Sequence, residues 1–129
     1  MLQDKSSPVI DDPAKLFKIL MHPARLSILD ILRDSEHCVC HMESHLGYRQ
    51  AYISQQLMVL REAGLVEDRK DGLNVFYRVT VPTLYEVIDV ARKITYVDEQ
   101  IQEHDPHHEA KAASCPCPKC NPAAKNVSC

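Results

Sequence analysis

Two helices joined by a tight turn that contains one glycine constrain the fold of this chain more than any other feature. Residues 39–46 predict a short helix, and Gly47 follows at the position where a left-handed residue commonly ends a helix. A second helix is predicted over residues 50–63, because Ile53, Leu57 and Leu60 recur at helical spacing before Gly64. Two such helices joined by a tight glycine-containing turn form a helix-turn-helix.

A β-hairpin is predicted immediately after the second of these helices. Residues 65–69 and 74–79 are short β-prone runs, and Asp71 followed by Gly72 between them is a strong hairpin signal. A hairpin directly after a helix-turn-helix is a wing. The sequence therefore predicts a mostly α fold with a small β-hairpin wing, a winged helix-turn-helix.

Three further helices surround this unit. Asp12 as a helix cap and Pro13 as the first helical residue predict a helix that His22 and Pro23 interrupt. A second helix then runs to about residue 34, and residues 35–37 link it to the helix-turn-helix. Pro82 opens the last helix, which extends to about residue 103. The predicted order is four helices, two strands and a fifth helix.

Apolar residues of the last predicted helix alternate at spacings of three and four, which is the pattern of a coiled-coil seam. We expect this stripe to pack against a second copy of the chain and make a homodimer, although packing on its own domain is the alternative. The residues of the seam are Val87, Val90, Ile94, Val97 and Ile101.

The predicted domain spans residues 12–103, between a polar N-terminal arm at 1–11 and a tail at 104–129. The tail holds four Cys, three His and four Pro with little apolar material, so we expect it to be flexible. Its tightest thiol cluster consists of Cys115, Cys117 and Cys120, whereas His104, His107, His108 and Cys129 are expected to be weak scavengers of metal at best.

The charge of the chain does not favour nucleic-acid binding through a large field. The net charge is −3, and residues 49–78 carry five basic side chains against four acidic ones, a balance of +1.

No apolar run is long enough to cross a membrane, and residues 1–20 do not resemble a secretory signal, so we expect a cytoplasmic protein with no membrane partner. Thiols stay reduced there, and six cysteines therefore favour metal binding or redox sensing. No pattern typical of an enzyme site is present.

Five segments in this order resemble the ArsR/SmtB family of winged-helix metal-sensing repressors. The resemblance implies a homodimer that binds an inverted-repeat operator in double-stranded DNA and releases it when an inducer binds. The segments are residues 22–29, 38–40, 53–57, 60–66 and 71–77.

The predicted DNA surface lies at the start of the second helix of the helix-turn-helix, whose first turns reach base edges in the major groove. Glutamine can pair with adenine through two hydrogen bonds, and serine can contact several bases. We expect base contacts from Gln50, Tyr52, Ser54 and Gln55, and phosphate contacts from Arg49, Arg69 and Lys70.

The predicted inducer site begins with Cys38 and Cys40, which align with the inducer-binding pair of the family. Thiolates select soft ions, so the expected inducer is Cd(II), Pb(II), Zn(II) or As(III). Side chains two residues apart do not share a helix face, so the pair could chelate one ion from a regular helix only if its first turn rearranged. The third cysteine of arsenite sensors is replaced by Glu43, and residues 1–37 contain no cysteine.

Additional ligands are expected from the tail. The family's second site on the last helix lacks adequate ligands here. Cys115 lies twelve positions after Glu103, a reach of about 20 Å as a coil and about 40 Å fully extended. We expect one or two of the tail thiols Cys115, Cys117 and Cys120 to join Cys38 and Cys40, from the same subunit or its partner. His41, Glu43 and His45 are fallback ligands, individually expected to be surface groups or helix polars.

Two alternatives stay open. The three tail thiols could instead form a separate metal store. Cys38 or Cys40 could also pair with a tail cysteine as a disulfide, which would make the protein a thiol redox-sensing repressor.

Overall fold

A computed structural model of the chain describes residues 10–95, which form five helices and a three-stranded antiparallel sheet. This confirms the predicted winged helix-turn-helix. Residues 1–9 of the predicted arm (1–11), residues 96–103 of the predicted domain and the whole tail lie outside the described residues. The elements are α1 (Pro13–Leu20), α2 (Pro23–Ile31), β1 (His37–Cys38), α3 (Val39–Leu46), α4 (Gln50–Glu62), β2 (Val66–Asp71), β3 (Asn74–Val79) and α5 (Leu84–Thr95).

The helix boundaries follow mostly from local signals. The Asp12 side chain accepts a hydrogen bond of 3.0 Å from the Ala14 N–H and caps α1, as predicted. Gly47 has φ of +74°, a left-handed conformation that ends α3. The prediction that α2 reaches residue 34 was wrong. The helix ends at Ile31, and the Arg33 N–H donates to the Asp30 carbonyl in a tighter turn that redirects the chain toward β1.

The core lies where α2, α3, α4 and α5 meet. Its side chains are at most 3% exposed, so water is excluded from the junction between the helix-turn-helix and the last helix. These side chains are Ile28, Leu29, Met42, Ile53, Leu57, Leu60, Leu84 and Ile88.

The wing is a hairpin of β2 and β3 whose register runs from Val66 opposite Val79 to Asp71 opposite Asn74. Two residues make its turn, and Gly72 in that turn has φ of +60°, which favours glycine. The predicted hairpin is thus confirmed, with β2 ending two residues later than expected.

A third strand, β1, was not predicted and pairs with the other edge of β3. His37 lies opposite Tyr77, and Cys38 lies opposite Phe76. The sequence treats residues 35–37 as a link, because two residues are too few to show the alternation that identifies a strand. Hydrogen bonding between β1 and β3 therefore attaches the segment before α3 directly to the wing.

The last helix begins at Leu84, because the N–H groups of residues 84–86 first close turns onto residues 81–83. Its start is fixed to α2: the Tyr85 hydroxyl donates to the Leu29 carbonyl, and burial raises the pKa of Tyr85 to about 12. Arg33 donates two hydrogen bonds of 2.8 and 3.1 Å to the Asp89 carboxylate. Within residues 10–95, no helix is both long and apolar enough to cross a lipid bilayer.

The predicted coiled-coil seam divides into a buried and an exposed part. Val87 packs against the core of its own domain. Val90 is 52% exposed and Ile94 is 78% exposed, so these two are available to a partner chain. Val97 and Ile101 lie outside the described residues.

Candidate DNA interface and metal centre

The outer face of α4 presents the side chains predicted to contact DNA. Arg49, Gln50 and Gln55 are exposed, and Ser54 is half-buried. Ile53 lies between them in sequence and is completely buried, which fixes the orientation of the helix. The arrangement suits a helix that lies in a major groove, and the individual base contacts stay predictions.

Tyr52 lies at the edge of this surface, and its ring also packs against other aromatic side chains. Its ring centroid lies 5.2 Å from that of Tyr48 in the turn before α4 and 6.3 Å from that of His22 at the start of α2. It is half-buried. The Tyr52 ring thus packs the start of α4 against α2, besides lying at the predicted DNA surface.

Gln56 on α4 is a structural polar residue that the sequence reading did not assign. It is only 8% exposed, and its side-chain oxygen accepts a hydrogen bond of 2.9 Å from Arg25 Nε. Arg25 also donates to the Ile19 carbonyl at 3.1 Å. Its position three residues after buried Ile53 placed it on the inner face of the helix, and this spacing could have identified it.

The wing carries its basic side chains next to acidic ones. Arg69 Nε donates a hydrogen bond of 3.1 Å to the Glu36 carboxylate, and Arg69 Nη1 lies 3.6 Å from the Asp71 carboxylate. The hydrogen bond to Glu36 is the main reason that the pKa of Arg69 is raised. The guanidinium carbon also lies 5.1 Å from the centre of the Phe76 ring. Arg69 was predicted to contact phosphate, and Glu36 neutralises its charge in this structure. Lys70 beside it is exposed.

The two thiols of the predicted inducer site lie across the junction of β1 and α3. Cys38 ends the strand and caps the helix with an extended backbone (φ −88°, ψ 166°), and it is 1% exposed. Cys40 is the second residue of α3 and is half-buried. Helix α3 begins at Val39, as predicted, so the two thiols do not both lie in regular helix. Since Cys38 is not helical, the helical-spacing argument no longer requires the first turn of α3 to unwind.

Three histidines lie near these thiols in the sequence, and His41 and His45 are buried polar residues of α3, which is the second of the two expected forms, and not surface groups. They are 8% and 9% exposed. The His37 and His41 rings stack with centroids 3.9 Å apart and planes 10° apart, and the His41 and His45 rings lie 4.0 Å apart at 34°. We call these three residues the histidine column. Their regular spacing of four residues is the sequence signal that could have identified it.

The donor set suits a soft ion but is incomplete in the described part of the chain. Two thiols supply the soft ligands, whereas thiolate sites for such ions usually have three or four ligands. Among residues 10–95, no three His, Cys, Asp or Glu side chains are gathered around one point. Glu43 is exposed. The tail thiols Cys115, Cys117 and Cys120 lie outside the described residues.

Comparison with known proteins agrees with this architecture. The family model described as bacterial regulatory protein, arsR family, matches residues 22–68. An uncharacterized HTH-type transcriptional regulator of Mycobacterium tuberculosis, Rv0081, is 40% identical over 91 residues, which cover 70% of this chain and 80% of that protein. The arsenical resistance operon repressor of Escherichia coli is 45% identical over 69 residues, covering 53% of this chain and 59% of that repressor.

One solved structure bears on assembly. The homodimeric winged helix-turn-helix DNA-binding domain of Mb0332 from Mycobacterium bovis matches with a TM-score of 0.57 and 29% identity, covering 74% of this chain and 86% of that domain. These relatives are transcriptional regulators, in agreement with the prediction that the chain is not an enzyme.

Proposed function

Because the chain belongs to the ArsR family of bacterial transcriptional regulators, we propose that it is a metal-responsive repressor that binds an inverted-repeat operator as a homodimer. In this proposal the dimer releases DNA when a soft ion binds Cys38 and Cys40. The observation that carries the proposal is the position of these thiols at the junction between the wing sheet and the helix before α4.

The dimer part of the proposal rests on an unpartnered apolar surface. Phe17 and Met21 of the α1 end are 57% and 77% exposed, and Val90 and Ile94 of α5 are also exposed. A contiguous exposed apolar patch marks an association surface, and we propose that these four side chains contribute to one such patch. The related M. bovis domain is homodimeric.

A charge on the α5 face tests the dimer. Ile94→Glu would bury an unpaired carboxylate against the partner, which is strongly unfavourable, so sedimentation should show monomers. Lys93→Glu changes a neighbouring exposed residue and is the control that should remain dimeric. An intact Ile94→Glu dimer would mean that this face is not the interface.

The ligand part assigns Cys38 and Cys40 together with one or two tail thiols. Three or four thiolates make a site for Cd(II), Pb(II), Zn(II) or As(III). The E. coli relative is named as the repressor of an arsenical resistance operon, which supports a thiophilic inducer. The domain limits 12–103 and the tail 104–129 belong to the same proposal.

Two physical connections carry the signal from the thiols to DNA. Cys38 pairs through its backbone with Phe76, so movement of β1 displaces the wing strand. Only the turn around Gly47 separates α3 from α4, and Met42 packs into the same core as Ile53 and Leu57. Ligation at Cys38 and Cys40 can therefore act on both DNA-contacting elements.

Fluorescence anisotropy of an operator fragment tests the switch. Cys38→Ser and Cys40→Ser should bind the operator like the wild type when metal-free and should lose release by ions, because Ser is nearly isosteric but lacks the soft donor. Cys129→Ser is the matched control and should still respond. Normal release in both test variants would remove these thiols from the sensor. Release of metal-free protein by peroxide would support the redox-sensing alternative instead.

Truncation after Pro106 separates the tail from the domain. If the tail completes the site, the truncated protein should bind the ion with weaker sulfur-to-metal charge-transfer absorbance and respond only at higher ion concentration. An unchanged response would leave Cys38, Cys40 and nearby groups of α3 as the whole sensor. The cluster of Cys115, Cys117 and Cys120 would then be a separate store.

A further inference from the structure

A cleft lies where the segment after α2, the wing and the turn into α5 meet, and neither thiol of the proposed sensor lines it. Its volume is about 460 Å³, which is within the usual range for small-molecule sites. We call it the wing cleft, and residues 32–36, 69, 78–79, 82 and 85 line it. The wing cleft therefore joins three parts of the chain that are distant in sequence.

The apolar part of the lining can hold a hydrocarbon body. Leu32 is 3% exposed and Val79 is half-buried, so both offer aliphatic surface that is already partly shielded from water. The Tyr85 ring belongs to the same lining, and burial raises its pKa to about 12, so the phenol stays neutral and adds no negative charge. Burial of an apolar ligand surface against these groups is favourable.

Three guanidinium groups line the same cleft, together with the carboxylates of Asp34 and Glu36. They belong to Arg33, Arg69 and Arg78. Arginine presents its N–H donors in a planar fork that matches a carboxylate, which makes it the usual residue for recognising such anions. Three positive groups against two negative ones leave an excess of one positive charge, which fits a ligand with a single negative charge.

The three arginines differ in how firmly the protein holds them. Arg33 and Arg69 each donate two hydrogen bonds to a carboxylate of the domain. Arg78 pairs with Glu67, which does not line the cleft, and the two side chains are 64% and 45% exposed. An ion pair this exposed contributes little to stability, because water competes for both charges. Arg78 can therefore exchange Glu67 for the carboxylate of a ligand at small cost.

We propose that the wing cleft binds a small organic monocarboxylate with an aromatic or branched aliphatic body, and that Arg78 pairs with its carboxylate. The body of the ligand packs against Leu32, Val79 and Tyr85. Because these side chains come from three separate parts of the chain, the bound ligand holds the wing to the helical domain. The site goes beyond the proposed function, since it requires neither a metal ion nor DNA.

Titration of the reduced, metal-free full chain with benzoate tests the proposal in the absence of DNA. In NMR spectra, the backbone amide signals of Leu32, Val79 and Tyr85 should shift and saturate together, and those of α4 should stay unchanged. Benzamide keeps the aromatic body without the charge, and acetate keeps the charge without the body. Each should therefore bind at least about tenfold more weakly than benzoate. Equal binding of either compound, or benzoate shifts that do not saturate, would overturn the proposal.

Substitutions test the role of Arg78. Arg78→Gln should weaken benzoate binding by about tenfold or more, because it removes a charged hydrogen-bond donor. Glu67→Gln removes the competing carboxylate and should strengthen binding by up to about fivefold. Arg61→Gln is the matched control, since Arg61 also makes an exposed ion pair with the wing, 3.7 Å from the Asp68 carboxylate, but does not line the cleft. Wild-type affinity in Arg78→Gln, or an equal loss in Arg61→Gln, would overturn the proposal.

Discussion

The recognition helix and the segment before it use polar side chains in opposite ways. On α4, Gln50 and Gln55 face outward, and the interior is apolar apart from Gln56. In the segment of β1 and α3, the thiol of Cys38 and the rings of the histidine column point inward or against one another. The contrast indicates that α4 keeps its polar groups for a macromolecule that docks from outside. In the proposed sensor, the preceding segment keeps its groups for an ion small enough to enter.

The largest expected effect comes from removing a buried side chain of α3, compared with an exposed one of α4. Met42 of α3 is completely buried, whereas Met58 of α4 is 51% exposed. Met42→Ala should lower the free energy of unfolding by about 2–5 kcal/mol through lost contacts and a cavity. Met58→Ala should change it by no more than about 0.5 kcal/mol. Equal effects in denaturant melts would mean that α3 does not anchor the domain.

The next largest effect is expected from removal of the hydrogen bond between Arg25 of α2 and Gln56 of α4. Arg25→Ala leaves the buried Gln56 side chain without its partner, which should lower the free energy of unfolding by about 1–3 kcal/mol. Adding Gln56→Leu removes the unsatisfied group, so the double variant should recover part of the loss. A double variant less stable than Arg25→Ala would contradict this account.

Substitution of the outward-facing side chains of α4 should change DNA binding but not the stability of the fold. Gln55→Ala and Ser54→Ala should each reduce discrimination between operator and unrelated DNA by about 1–3 kcal/mol per lost base contact. Their melting temperatures should stay at the wild-type value. Unchanged operator affinity in both variants, measured by anisotropy, would place the DNA-reading surface elsewhere.

A smaller effect is expected at the ion pair between the residue before β1 and the wing. Glu36 precedes β1 and neutralises Arg69 on the wing. Glu36→Gln should release the guanidinium for a phosphate and steepen the slope of log affinity against log salt by about 0.9, the value for one phosphate contact. The cost in stability should stay below about 1 kcal/mol, since the pair is exposed. An unchanged slope would exclude Arg69 from the interface.

The smallest expected effect is the acid sensitivity of the ion pair between Arg33 and Asp89 of α5. The hydrogen bonds from Arg33 hold the pKa of Asp89 below its ordinary value of 3.8. A lowered folded-state pKa gives stability that is present above pH 3.8 and lost as the pH falls through the folded-state value. Asp89→Asn should flatten the dependence of melting temperature on pH below 3.8 and leave operator release unchanged. An unaltered acid slope would show that this ion pair makes no net contribution.

Sequence reasoning worked best where one short pattern determines local structure. Asp12 and Gly47 fixed helix ends, Gly72 fixed the hairpin, and the spacing of Ile53 and Leu57 oriented α4. Strand β1 could not be predicted, since it exists only because β3 offers it an unpaired edge. Burial of His41 and His45 depends on tertiary packing, so the sequence left open whether they are surface residues or helix polars, although their spacing was visible.

Whether the tail thiols join the site is a separate question, because it depends on contacts between distant parts of the chain or between subunits. Local patterns contain no information about such contacts. The composition of the tail indicates which ligands it can supply, and the incomplete donor set of β1 and α3 indicates how many are needed. The partner of each thiol remains a matter for the truncation experiment.

The unequal burial of the two thiols has a kinetic consequence. Cys40 is half-buried and can meet an incoming ion, whereas Cys38 is 1% exposed and stays covered until β1 separates locally from its surroundings. In the proposed sensor, ion capture at this pair would therefore be sequential, with a fast encounter at Cys40 followed by ring closure through Cys38. The second step proceeds at the rate of local opening and does not accelerate with ion concentration. If the proposed function holds, brief exposure to an ion would pass without release of the operator, and only exposure longer than the opening time would complete the chelate.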